Sequence, residues 1–97
     1  MSAYTREHSR RVSEIEDNAR IIMSICPFGN DWITLLDKQI KTLRYTCDVH
    51  LIKLSWVSND TELSENEMSK FKRSFDSQME LINGTVEKIV TVPLNHQ

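Results

Sequence analysis

The sequence predicts an all-α fold, an antiparallel helical hairpin plus a third helix in a three-helix bundle-like arrangement. Three observations carry that prediction. Ninety-seven residues contain only two glycines and two prolines, so breakers are few and long elements have room. Apolar residues recur at steps of 3 and 4 along three separate stretches, the period of a helix with one face inward. Four-residue runs of turn-forming character, Pro27-Phe28-Gly29-Asn30 and Ser58-Asn59-Asp60-Thr61, divide the chain into three pieces. A chain of this length makes one domain, spanning 1–97.

The first helix is expected over about 5–26. Val12, Ile15, Ala19, Ile22 and Cys26 form its stripe, and Arg6, Arg10, Glu14, Asp17 and Ser24 its opposite face. Ser2 or Thr5 is suited to cap it. Pro27 stops it, because proline lacks the N–H and restricts the residue before it. The short link makes the next helix an antiparallel neighbour. That second helix is expected over 31–57, with a stripe through Trp32, Leu36, Ile40, Leu43, Cys47, Leu51 and Leu54. Its C-terminal half carries a second stripe, Tyr45, Val49, Ile52 and Trp56. A helix apolar on two sides is buried on two sides or meets a partner.

The third helix is expected over 64–90. Ser64-Glu65-Asn66-Glu67 has the pattern of a capping box, and Leu63 is placed to staple onto Met68. Met68, Phe71, Phe75, Met79 (or Gln78), Ile82, Val86 and Ile89 keep helical spacing. Asn83-Gly84 is a possible end, and the β-branched run behind it a possible extended tail. The stripe crosses the glycine, which favours helix to about Val90. Residues 91–97 are expected as a tail broken by Pro93.

Composition narrows the functional classes. Apolar residues make up 39% and charged residues 27%, the balance of a globular domain rather than a disordered chain. The net charge of −2 lacks the basic excess of a nucleic-acid domain, so duplex binding is not expected. No apolar run approaches the ~18 residues that span a bilayer, so no membrane association is expected. The first residues lack the apolar stretch of a signal peptide. The expected location is therefore the cytoplasm, where Cys26 and Cys47 stay free thiols.

Cys47 and His50, three apart on a helix, have the spacing of a shared metal site, and Cys26 is the obvious further ligand. Cys26 flanks the hairpin turn, however, whereas Cys47 lies about 24 Å along the second helix at ~1.5 Å per residue. That separation also precludes an intrachain disulfide. Both cysteines are better read as small core residues. Nucleophilic catalysis by Cys47 would need an exposed thiolate and an oxyanion site, and nothing around it supplies either. Two isolated glycines cannot build a phosphate loop. No cofactor, no metal and no enzymatic activity are expected. Asn83-Gly84-Thr85 matches a glycosylation sequon by chance if the chain is not exported.

What remains is surface. Arg6, His8, Arg10 and Arg11 load the first turns of the first helix, and Lys38, Lys41, Arg44 and Tyr45 form a ridge on the second. Such a ridge suits an acidic protein face or phosphates, although most ridges of this kind are solvated helix faces. Tyr45, Val49, Ile52 and Trp56 join Arg10, Arg11, Lys41 and Arg44 in the candidate interaction surface, since Tyr, Trp and Arg anchor interfaces. They are core instead if the third helix covers them.

In size, helical class and lack of catalytic motif, the chain resembles the small helical inhibitors carried by phages and mobile elements, anti-CRISPR proteins among them. The resemblance implies a binding protein that blocks or adapts a host complex. Two other readings stand beside it: a helical oligomer that sequesters a nucleotide, with arginines on phosphate and Tyr45 or Trp56 stacked on the base, and a structural protein whose role is self-assembly.

Overall fold

The structure is a computed structural model that describes residues 3–25 and 31–91. These form three helices and no strand: α1 (Ala3–Ile25), α2 (Asp31–Trp56) and α3 (Thr61–Thr91). Central α2 packs against both others, more extensively against α3 than against α1. The expected all-α three-helix arrangement is what the chain adopts. Cys26, the Pro27–Asn30 turn, the Ser2 cap and the tail beyond Thr91 lie outside the described residues.

The core follows the apolar stripes. Val12 and Ala19 of α1, Leu36, Ile40, Leu43 and Cys47 of α2, and Phe71, Phe75, Ile82 and Ile89 of α3 form one buried cluster. Leu36 and Leu43 exclude solvent completely. Burying a leucine to that degree contributes about 1.5–3 kcal/mol relative to leaving it in water. Two polar residues share the core, His50 and Thr85. Thr85 satisfies its hydroxyl inside its own helix by donating to the Leu81 carbonyl at 3.0 Å.

Two starts differ from the expectation. α1 begins at Ala3, so Thr5 lies inside the helix rather than at its cap. α3 begins at Thr61, three residues before the anticipated Ser64. Its cap is Asp60, whose Oδ1 accepts the Leu63 N–H at 3.0 Å. A carboxylate there also suits the positive helix end. Ser64, displaced from capping, donates its hydroxyl to the Val57 carbonyl at 2.7 Å. The Asp60 N–H donates to the same carbonyl at 2.9 Å. The link between α2 and α3 is thereby held to residues 57–60, and a short link makes the two helices antiparallel.

At the other end α3 runs unbroken through Asn83-Gly84 to Thr91. Ile82, Thr85 and Ile89 keep the buried seam across the glycine, and that packing outweighs glycine's poor helix propensity. The chain is elongated, 59 × 21 × 17 Å. Among the described residues no helix is long and apolar enough to cross a membrane.

Candidate functional site

The second stripe of α2 lies roughly half a turn around the helix from Leu36, Leu43 and Cys47, at 100° per residue. It therefore points away from the core. α1 flanks α2 on one side, where Arg44 reaches it, and α3 flanks the other, where Thr46 and His50 meet it. Neither helix covers the outward stripe. Tyr45 is 70% exposed, Ile52 51% and Trp56 76%, and only Val49 is half-buried. Leu35 continues this face toward the start of α2.

Beside the stripe, α2 and α3 bound an open depression of about 250 Å³. Tyr45 and Val49 line one wall, Lys53 and Lys70 its polar rim, and His50, Glu67 and Phe71 its inner end. A second, more apolar depression of about 180 Å³ continues between Leu35, Lys38 and Thr42 of α2 and Gln78 and Leu81 of α3. Gln78 bridges the helices there, donating from Nε2 to Thr46 Oγ1 at 2.9 Å. The Gln39 and Gln78 amide oxygens in this region are buried without a hydrogen-bond partner.

The inner end of the first depression holds an arrangement that joins all three helices. His50 is only 3% exposed. Its Nδ1 lies 2.9 Å from Glu67 Oε2 and its Nε2 2.8 Å from the Tyr4 hydroxyl. A carboxylate only accepts, so Nδ1 carries a hydrogen, and in the neutral ring Nε2 then accepts from the phenol. The ring stacks on Phe71 at 4.2 Å and 6°. Tyr4 and His8 of α1 close over the same cluster.

Hydroxyl, imidazole and carboxylate in that order is also the order of a nucleophile triad. Here burial pushes the Tyr4 pKa up, with Cys47 and Glu67 adding to the shift. The phenol stays protonated at neutral pH and acts as a hydrogen-bond donor. Burial likewise lowers the His8 pKa, and nearby His50 lowers it further. Burial also raises the Cys47 pKa, which keeps that free thiol unreactive. Among the described residues no group of three or more His, Cys, Asp or Glu side chains is placed to hold a metal ion.

The eight candidate surface residues divide. Tyr45, Val49, Ile52 and Trp56 form one continuous face. Arg10 pairs with Glu14 of its own helix at 3.4 Å. Arg11 lies over the Phe75 ring at 4.9 Å, on the α1–α3 side. Lys41 pairs with Asp37 at 2.9 Å. Arg44 is an internal tie: it donates to Glu16 Oε1 at 2.6 Å, Glu16 Oε2 at 3.2 Å and Ser13 Oγ at 2.9 Å. It also meets Asp48 at 3.5 Å. The basic residues therefore do not gather into one phosphate-binding cluster.

Lys53, Lys70 and the Tyr4–His50–Glu67 bridge escaped the sequence reading. One signal for His50 was present. The α2 core steps 36, 40, 43, 47 continue at 3 and 4 to His50 and Leu54, so the buried seam runs through the histidine. Nothing local marks Tyr4 and Glu67 as its partners, 46 and 17 residues away. No protein-family model, no curated protein and no solved structure matches the chain.

Proposed function

We infer that this is a non-enzymatic binding protein that captures another protein on the outward face of α2. The observation that carries the reading is the exposure of Tyr45, Ile52 and Trp56 on one face of a helix whose opposite side is buried in the core. Two large aromatics and an isoleucine in water are costly unless something covers them. Tyr and Trp are also the side chains that most often dominate binding energy. The resemblance to small phage-borne inhibitors makes the partner a subunit of a larger host assembly, met in the cytoplasm, and makes capture itself the activity. The dispersal of Arg10, Arg11, Lys41 and Arg44 favours this reading over nucleotide sequestration.

The test is capture from host lysate by wild-type protein and by Tyr45→Ser and Trp56→Ser. Each variant should lose the wild-type partner by at least tenfold, on the order of 2 kcal/mol for an interface anchor, while keeping full helicity. Undiminished capture by both variants would dismiss the reading.

A further inference from the structure

We propose that the occupant of this face is an acidic amphipathic helix of the partner protein, lying along the α2–α3 groove with carboxylates on Lys53 and Lys70. The proposal rests on the binding reading above and adds the chemistry of what is bound.

The first argument is the distribution of unpaired cations. Arg10, Arg20, Lys41, Arg44 and Lys72 have carboxylate partners, and Arg11 and Lys88 lie over aromatic rings. Arg6, Lys38, Lys53, Lys70 and Arg73 have no ion-pair partner among the described residues. Three of these five, Lys38, Lys53 and Lys70, border the two α2–α3 depressions. Beside Lys53 and Lys70 the acids are engaged, Glu67 with His50 and Asp48 with Arg44, and the one free acid along the groove among the described residues, Glu80, lies beyond Leu81 at its far end. A chain of net charge −2 thus concentrates free positive charge along its apolar groove. Positive potential there steers and orients an acidic partner.

The second argument is the spacing. The outward face steps through Thr42, Tyr45, Val49, Ile52 and Trp56 at 3, 4, 3 and 4, with Leu35 seven residues before Thr42. That is the seam a second helix interdigitates with. An extended peptide has period two and would need a sheet edge to pair with, and the described residues contain no strand. From Leu35 to Lys53 the groove runs about 27 Å, which about 18 residues of helix cover at ~1.5 Å each. Lys53 and Lys70 mark one end and Lys38 the other, so the partner's acids belong near both ends of its apolar stripe.

The test uses the full chain and a displayed library of random peptides of that length. Peptides enriched on wild-type protein should carry apolar residues at 3- and 4-residue steps flanked by Asp or Glu. The double variant Lys53→Gln/Lys70→Gln, both exposed positions, should keep close to the wild-type melting curve and bind those peptides at least about tenfold more weakly, with binding in wild type falling as salt rises. Absence of enrichment, enrichment of neutral or basic peptides, or equal binding by the double variant would each overturn the proposal. A concentration-dependent dimer in sedimentation that Tyr45→Ser dissolves would also overturn it, because the occupant would then be a second copy of this chain. If lysate capture is lost in Trp56→Ser yet unaffected in the double variant, the binding reading stands and this proposal falls.

Discussion

Two half-buried side chains, Arg44 and Tyr4, tie α1 to α2 through polar contacts. Arg44 fastens α1 to α2 through a bidentate contact with Glu16 and a bond to Ser13. The pair is largely withdrawn from water, with side-chain exposures of 27% and 19%. Arg44→Ala should cost about 2 kcal/mol in urea unfolding at pH 7, since hydrogen bonds to charged groups are lost and Glu16 is stranded. The hydrogen bond from Arg44 holds the Glu16 carboxyl below its ordinary pKa, against an opposing effect of burial. A depressed folded pKa means that the contribution is complete above the unfolded value near 4.5 and fades as pH falls through the folded one. Between pH 5 and 3, wild type should therefore lose more stability than Arg44→Ala, and parallel slopes would contradict the assignment. Tyr4→Phe removes one hydrogen bond to His50 and should cost about 1 kcal/mol. Its raised phenol pKa reverses the sign: that stability is present below the ordinary value of 10.0 and is lost as pH rises through the folded one. The variant should therefore be less sensitive than wild type to alkaline unfolding.

At the scale of the elements, periodicity was the legible signal and local capping chemistry the misleading one. The stripes placed all three helices to within a few residues, because burial of a 3.6-period face dominates helix formation in a folded protein. Ser64 looked like the α3 cap because its motif is locally complete. Asp60, one turn earlier, offered a carboxylate acceptor and allowed a shorter link, and which of two adequate caps wins depends on where α2 ends. Continuation across Gly84 was legible because the seam did not shift phase there. Gly84 is exposed on the helix, and a Cβ added to it would meet nothing within 4 Å. Gly84→Ala should consequently raise stability by about 0.5–1 kcal/mol through helix propensity alone. An unchanged or lowered melting temperature would mean that the helix is not continuous there.

At the scale of the whole molecule, three helices in a 59 Å rod leave one long face of the central helix open. The sequence marked Tyr45, Val49, Ile52 and Trp56 as an unusual stripe, but whether α3 covers it depends on the direction in which α3 leaves the Val57–Asp60 turn. That direction is tertiary information. The same holds for Arg44, which counts as a surface cation by spacing and becomes an internal tie only because Glu16 lies opposite on α1. Lys53 and Lys70 were invisible for the converse reason, since a lysine is informative only once its neighbours are seen to leave it unpaired. The central claim is that the outward face of α2 is the working surface. Site-specific photo-crosslinking tests it most directly, with a benzoylphenylalanine at Ile52 compared with one at Glu14, both exposed and on different helices. In lysate of the cells in which the protein is expressed, the Ile52 probe should join a discrete partner protein, in amounts that fall when Tyr45→Ser is added, and the Glu14 probe should not. Equal labelling from Glu14, or none from Ile52, would contradict the account.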